Sequence, residues 1–142
     1  MSDDKKVILV AEDSAPNRRI ICQLLSSFGF EVIECVDGED AYNKAINAID
    51  NTLKLDAIVT DIMMPGMSGL EVIGQLKRED KLAGIPFLFL TAVAKKEHVV
   101  AAIKLGAKGY LLKPITREKL QKSCTDLFPN HKFPQKTGES PV

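Results

Sequence analysis

The sequence predicts a doubly wound α/β domain, in which helices cover both faces of a five-stranded parallel sheet. Two observations support this fold class. Five short apolar segments of strand length recur along the chain, and the segments between them carry apolar residues at helical spacing. Each connecting segment is also long enough for the crossover that parallel strands require. We therefore expect a (βα)5 arrangement with strand order 2-1-3-4-5.

The five predicted strands are rich in valine, isoleucine, leucine and phenylalanine. They are Val7–Ala11, Val32–Val36, Ala57–Thr60, Phe87–Leu90 and Tyr110–Leu112. The first, third and fourth are nearly continuous apolar runs, as expected of strands that are buried on both faces. Glu31 and Glu34 interrupt the second run, which is typical of an edge strand.

The helices are predicted from apolar stripes and from residues that favour helix ends. In the first helix, for example, the stripe runs from Ile20 to Phe28. Ser68 and Glu71 have the spacing of a capping box at the start of the third helix, and Thr116 caps the fifth. The other end signals are Pro16 and Gly29 for the first helix, Asp37-Gly38 for the second and Gly106 for the fourth.

Composition limits the classes of function. The 142 residues fit one domain, which we place at residues 5–128, and the proline-containing segment 129–142 is expected to be a disordered tail or linker. The 19 basic and 19 acidic residues give a net charge of zero, so no global field favours direct binding of nucleic acid or membrane. No apolar stretch approaches the roughly 20 residues of a membrane span, and no signal-peptide pattern begins the chain. The three cysteines are expected to be reduced thiols of a cytoplasmic protein.

Polar residues stand where the predicted strands end. Glu12 and Asp13 follow the first strand, Asp61 the third, Thr91 the fourth and Lys113 the fifth. The carboxyl ends of parallel strands share one edge of a sheet, and ligands bind there, near the point where strand order reverses. We therefore expect these five side chains to form one site.

The chemistry of this set favours a phosphoryl group on a carboxylate. Three neighbouring carboxylates repel one another unless a hard cation lies between them, and Mg²⁺ accepts such oxygen ligands while keeping room for a phosphate. Lys113 adds a fixed positive charge and Thr91 a hydroxyl donor. Asp61 is the best nucleophile, because the turn-forming segment 62–66 after it would expose its side chain.

These residues stand within four motifs that resemble those of the receiver domain of two-component response regulators. The resemblance is to the CheY-like members, which implies a flavodoxin-like fold. The motifs are Val-Ala-Glu-Asp-Ser at 10–14, Asp-Ile-Met-Met-Pro-Gly-Met-Ser-Gly at 61–69, Leu-Thr-Ala at 90–92 and Gly-Tyr-Leu-Leu-Lys-Pro at 109–114. The resemblance covers residues 5–128. It implies a signalling protein that catalyses only its own phosphorylation and slow dephosphorylation, rather than an enzyme acting on a separate substrate.

The resemblance also implies a role for each site residue. Asp61 accepts the phosphoryl group from a sensor histidine kinase or a phosphotransfer protein. Mg²⁺ is bound by Glu12, Asp13 and Asp61 and by the backbone carbonyl of Met63. Thr91 and Lys113 bind phosphate oxygens, Thr91 and Tyr110 move together as a switch, and the Lys113–Pro114 peptide bond is cis.

Phosphorylation is expected to change the face made by the fourth helix, the fifth strand and the fifth helix, and so to control a downstream protein. That face carries six lysines, which either keep the surface solvated or bind an acidic partner. They are Lys95, Lys96, Lys104, Lys108, Lys119 and Lys122. The chain itself is expected to be a monomer or a weak dimer.

Competing functions lack the residues that they require. A haloacid dehalogenase needs a second aspartate two residues after its nucleophile, where this chain has Met63. A dinucleotide-binding domain needs a glycine-rich turn after the first strand, where Glu12 and Asp13 stand. The alternative that remains is an interaction module with the receiver fold that works without phosphorylation.

Two apolar residues bear on how long the phosphate persists. In the receiver family, the lifetime of the acyl phosphate depends on side chains two residues after the phosphorylated aspartate and two after the threonine. Here these are Met63 and Val93, neither of which can orient an attacking water by hydrogen bonding. We therefore expect slow hydrolysis.

Overall fold

The computed structural model describes residues 5–80 and 82–134, in which five parallel strands alternate with five helices. The strands are β1 (Val7–Ala11), β2 (Glu31–Cys35), β3 (Ala57–Asp61), β4 (Phe87–Thr91) and β5 (Gly109–Leu112). The helices are α1 (Ala15–Ser27), α2 (Gly38–Asp50), α3 (Gly69–Leu76), α4 (Lys96–Leu105) and α5 (Arg117–Leu127). One sheet in the order β2-β1-β3-β4-β5 confirms the predicted fold class and strand order.

The alternation of side chains along the strands divides the core into two layers. In β1, Ile8 and Val10 pack beneath α1 and α5, whereas Leu9 and Ala11 pack on the side of α2, α3 and α4. Every residue of β3 and β4 is buried. These two strands and β1 are therefore covered on both faces, as their continuous apolar runs predicted.

Strand β2 begins and ends one residue earlier than the sequence suggested. Its register with β1 runs from the Val7–Glu31 pair to the Ala11–Cys35 pair. The amide of Val36 instead donates to the side chain of Asp40, at 2.9 Å, and so starts the turn into α2. The strand does lie at the edge of the sheet, as predicted.

Residues that were predicted to start or end helices form the expected caps. Ser68 and Glu71 form a capping box at the start of α3, in which the Glu71 amide donates to Ser68 Oγ and the Ser68 amide donates to Glu71 Oε1. Thr116 caps α5, and Gly106 ends α4 in the left-handed region, at φ 89°. Among residues 5–80 and 82–134, no helix combines the length and the apolar character needed to cross a bilayer.

The three cysteines are buried free thiols. Burial raises the pKa of Cys22 to about 11, and the pKa values of Cys35 and Cys124 to about 12. The thiols therefore stay protonated near neutral pH and act as small core residues.

Part of the segment that the sequence assigns to a tail packs onto the domain. The imidazole Nε2 of His131 donates to the carbonyl of Phe28 at 2.7 Å, and its ring stacks on Phe30 with centroids 4.3 Å apart. Phe133 meets Phe28 edge to face at 5.3 Å. Residues 129–134 thus cover the turn between α1 and β2, whereas 135–142 lie outside the described residues.

Candidate functional site

The structure brings the predicted site residues to the carboxyl edge of the sheet. Glu12 directly follows β1, Asp61 is the last residue of β3, Thr91 ends β4 and Lys113 directly follows β5. Glu12, Asp61 and Thr91 are buried although they are polar. Buried polar side chains are costly unless each has partners, so their contacts define the site.

Lys113 bridges the two buried carboxylates. Its Nζ lies 2.6 Å from Glu12 Oε1 and 2.6 Å from Asp61 Oδ2. The ammonium side chain is 15% exposed, and the carboxylates are 1% and 5% exposed, so water screens these contacts little. Such short charge-assisted hydrogen bonds hold the three side chains in a fixed arrangement.

Backbone amides take the remaining oxygens of the two carboxylates. The amide of Ser14 donates to Glu12 Oε2 at 3.0 Å, and the amide of Met63 donates to Asp61 Oδ1 at 3.3 Å. Each carboxylate is thus shared between one cation and one amide of the loop that follows its own strand. The loops after β1 and β3 therefore orient the acidic groups.

The electrostatics of the bridge keep Lys113 charged. Its burial acts to lower the pKa, but the hydrogen bonds to Asp61 and Glu12 outweigh burial and raise the pKa above its usual value. Burial also raises the pKa of Glu12, in the same direction as the nearby Asp61 charge, while Lys113 and the Ser14 amide oppose that rise. A protonated lysine beside Asp61 is therefore a lasting feature of the site near neutral pH.

The acidic residues fit a divalent cation. Glu12, Asp13 and Asp61 each offer one carboxylate oxygen, and these oxygens all lie within 4.8 Å of one another. Asp13 is exposed, so the cluster opens to solvent on one side. A hard cation such as Mg²⁺ takes a few carboxylates and keeps its remaining positions for water or phosphate oxygens, which suits this donor set. The backbone carbonyl of Met63 stays a predicted further ligand.

Thr91 and Tyr110 have different surroundings from the acidic cluster. The hydroxyl of Thr91 donates to the carbonyl of Val93 at 2.9 Å and accepts from the Val93 amide at 3.3 Å. The hydroxyl of Tyr110 is buried and forms no well-aligned hydrogen bond within the described residues. Burial raises its pKa, and the nearby Thr91 side chain opposes that rise. Thr91 is thus engaged with its own loop rather than with Lys113 or Asp61.

The backbone of Lys113 is anchored to β4. The amide of Lys113 donates to the carbonyl of Thr91 at 2.8 Å, which continues the pairing of β4 with β5 by one residue. The Lys113–Pro114 peptide bond is cis. Both features belong to the backbone of the residue whose ammonium bridges Glu12 and Asp61.

The family model for the response regulator receiver domain matches residues 8–125, which is most of the chain and includes every residue of this cluster. The chain belongs to this family. As a receiver domain of the two-component response regulators, it is a signalling module, and family members of this kind interact with kinases and effectors.

Curated relatives match this receiver over most of its length. The phosphate regulon transcriptional regulatory protein PhoB of Escherichia coli (strain K12) is 38% identical over 113 residues, which cover 80% of this chain and 47% of PhoB. PhoB of Shigella dysenteriae matches to the same degree. The chain thus spans about half the length of the curated relatives that it matches.

Solved structures agree with the family assignment. The chemotaxis protein CheY4 of Vibrio cholerae superposes with a TM-score of 0.78 at 28% identity, covering 87% of this receiver and 99% of that chain. A chain from the CheX-CheY-BeF3-Mg+2 complex of Borrelia burgdorferi gives a TM-score of 0.77 at 28% identity, with 87% and 89% coverage.

Some residues of the receiver's site were not foreseen from the sequence. Arg18, on the first turn of α1, donates from Nη1 to the backbone carbonyl of Glu12 at 2.8 Å. Gly69 lies so close to the backbone of Asp61 that a Cβ there would be 2.2 Å from the Asp61 carbonyl oxygen. The sequence does contain Gly69 within a matching motif, but nothing in it distinguishes Arg18 from the adjacent Arg19.

Proposed function

We propose that this receiver accepts a phosphoryl group on Asp61 in a Mg²⁺-dependent reaction and thereby changes the face formed by α4, β5 and α5. The observation that carries the proposal is the 2.6 Å contact of Lys113 with both Asp61 and Glu12, beside the exposed carboxylate of Asp13. A nucleophilic carboxylate, a fixed cation and a set of metal ligands meet at one point. This is the combination that phosphoryl transfer to a carboxylate needs.

In the proposed reaction, a carboxylate oxygen of Asp61 attacks the phosphorus of a phosphohistidine on a kinase or phosphotransfer protein. A phosphorus–oxygen bond forms, the phosphorus–nitrogen bond breaks, and its electron pair leaves with the imidazole. Mg²⁺ held by Glu12, Asp13, Asp61 and the Met63 carbonyl would neutralise charge on the phosphoryl oxygens. Lys113 supplies a second positive charge from its position against Asp61.

The related CheY of Borrelia burgdorferi, in its complex with CheX, BeF3 and Mg+2, supports the choice of magnesium. The chemistry of this chain's own donors points the same way, because all three side-chain ligands are carboxylates. Sulfur and imidazole ligands would favour softer ions such as zinc.

The switch is proposed to start at Thr91. Its hydroxyl has a single proton, which it now donates to the Val93 carbonyl. To donate to a phosphoryl oxygen, the hydroxyl would have to break that hydrogen bond. The buried hydroxyl of Tyr110, which forms no well-aligned hydrogen bond in the described chain, belongs to β5 and would respond to that movement. Contacts made in only one of two arrangements shift the population between them.

The face that would change suits an acidic partner. Its lysines are all exposed, and none of them forms an ion pair within the described residues; they are Lys95, Lys96, Lys104, Lys108, Lys119 and Lys122. Val100, Ile103 and Leu112 are exposed apolar residues of the same elements. The same helices also carry exposed acidic residues, Glu97, Glu118 and Asp126, but the lysines outnumber them. Two copies of this net basic face would repel each other, which favours a monomer or a weak dimer. A downstream protein with acidic and apolar groups would fit the face.

Incubation with acetyl phosphate and Mg²⁺, followed by Phos-tag electrophoresis, tests the proposal. We expect a shifted band for the unmodified protein and for Asp126→Ala, an exposed aspartate on α5 that serves as the control. Asp61→Ala, and the unmodified protein in EDTA, should show no shifted band. If the unmodified protein is not shifted, the alternative holds, in which the receiver fold works as an interaction module without phosphorylation.

A further inference from the structure

We infer that Arg18 is a positioning residue for the acidic pair, and that it fixes the backbone from which the metal-binding carboxylates project. The inference rests on the proposed function, because it assumes that Glu12 and Asp13 bind a divalent cation. Arg18 does not reach a ligand oxygen in the structure. It acts instead on the main chain and on the neighbouring strand.

The contacts of Arg18 join three elements. From α1, its Nη1 donates to the backbone carbonyl of Glu12 at 2.8 Å, and its Nε lies 3.4 Å from Glu34 Oε1 on β2. Its side chain is only 17% exposed, whereas its neighbour Arg19 is exposed. One planar guanidinium therefore contacts both the residue that follows β1 and the edge strand β2.

Hydrogen bonds hold both backbone groups of Glu12, and Arg18 binds its carbonyl. On the other side of the same residue, the Glu12 amide donates to the carbonyl of Cys35 at 3.2 Å. Arg18 thus completes the fixation of Glu12 by holding the peptide unit that links it to Asp13. The orientation of that peptide determines where the Asp13 carboxylate lies relative to Glu12 and Asp61.

The two contacts of Arg18 differ in strength. Glu34 is 59% exposed, so its ion pair with Arg18 is screened by water and contributes little by itself. The hydrogen bond to the Glu12 carbonyl is charge-assisted and lies beside a fully buried residue. We therefore attribute the positioning effect to the carbonyl contact, with Glu34 orienting the guanidinium.

The test measures metal affinity on the full chain, by following the free Mn²⁺ signal in electron paramagnetic resonance. We expect Arg18→Gln to weaken Mn²⁺ binding about tenfold, as loss of a group that orients metal ligands usually does. Arg18→Lys should be intermediate, because an ammonium can reach the carbonyl but cannot bond Glu34 at the same time. Arg19→Gln is the matched control, and we expect it to bind Mn²⁺ as the unmodified protein does.

Two further measurements separate positioning from a general loss of structure. The melting temperature of Arg18→Lys should stay near that of the unmodified protein, and phosphorylation by acetyl phosphate should return to its normal rate at saturating Mg²⁺. Unchanged Mn²⁺ affinity in both Arg18 variants would overturn the inference, and so would a rate that stays low at saturating metal. If the unmodified protein itself shows no saturable Mn²⁺ binding, the proposed metal site fails, and the inference fails with it.

Discussion

At the scale of single residues, two exposed apolar side chains stand two positions after Asp61 and two positions after Thr91. Met63 is 51% exposed and Val93 is 53% exposed. Neither side chain can accept a proton from water or hold a water molecule in line with phosphorus. Attack by an unassisted water is slow, because positioning and general-base groups supply much of the rate of such reactions.

We predict that replacing both residues with polar ones shortens the life of the phosphorylated state. Met63→Asn combined with Val93→Glu should raise the rate of phosphate loss on the order of tenfold or more, since both new side chains can hydrogen-bond to water. The decay is measured by Phos-tag electrophoresis after acetyl phosphate is removed. Leu53→Glu, at an equally exposed apolar position outside the site, should leave the decay unchanged. An unchanged lifetime in the double variant would disprove the prediction, as would rapid loss from the unmodified protein.

The sequence predicts the charged residues of the site better than it predicts their partners. Glu12, Asp61 and Lys113 could be assigned because each stands where an apolar run ends, and parallel strands bring such positions together. The bond from Thr91 to Val93 could not be predicted, because a hydroxyl at a strand end has several possible acceptors nearby. For the same reason, the sequence could not show that Arg18 turns towards Glu12.

At the scale of elements, the close approach of α3 to the end of β3 constrains Asp61. The amide of Gly69 donates to the carbonyl of Ile62 at 3.0 Å. A Cβ on Gly69 would lie 2.2 Å from the carbonyl oxygen of Asp61 and 3.0 Å from its carbonyl carbon. These are backbone atoms, which cannot move aside as the end of a flexible side chain can. Gly69 therefore allows the first turn of α3 to rest on the residue that is proposed to be phosphorylated.

We predict that Gly69→Ala damages both stability and phosphorylation. The added methyl should lower the free energy of unfolding by about 1–3 kcal/mol, as overpacking does, and should displace Asp61 from Lys113. Gly74→Ala in the same helix is the control, because a Cβ there meets nothing within 4 Å and alanine favours helix by up to about 1 kcal/mol. Urea denaturation and the rate of phosphorylation by acetyl phosphate measure the two effects. Equal stability of Gly69→Ala and the unmodified protein would contradict this account.

Element bounds were predictable where local chemistry decides them. The Ser68 capping box and the left-handed Gly106 act within a few residues of themselves, and the structure contains both. The one-residue shift of β2 has a non-local cause, since pairing with β1 sets the register and the Asp40 side chain takes the next amide. A pattern of apolar residues does not carry that information.

At the scale of the whole molecule, the fold class followed from the sequence because five apolar runs alternate with helical stripes over most of the chain. The packing of residues 129–134 did not follow. Prolines and a missing period favour a tail, whereas Phe133 and His131 find their aromatic partners about 100 positions earlier, at Phe28 and Phe30. Gly29, at φ 98°, lies between those partners, and a Cβ there would be 3.4 Å from the ring of Pro134.

We predict that residues 129–134 stabilise the receiver and that the folded unit extends beyond 128. A chain ending at Phe128 should lose about 2–4 kcal/mol of unfolding free energy, because Phe28 and Phe30 lose apolar cover and aromatic contacts. A chain ending at Pro134 is the matched control and should be as stable as the full chain. Urea denaturation of the three chains measures the difference, and equal midpoints for the chains ending at Phe128 and Pro134 would contradict the prediction.

The same comparison separates stability from function, because this aromatic contact and the site lie at opposite ends of the sheet. Phe30 directly precedes β2, so the contact is at the amino edge, whereas Glu12 and Asp61 are at the carboxyl edge. At a temperature at which both shortened chains are folded, we expect acetyl phosphate to phosphorylate them at the rate of the full chain. If only the chain ending at Phe128 reacts more slowly, the loss of residues 129–134 from the α1–β2 turn must alter the positions of Glu12 and Asp13 through β1.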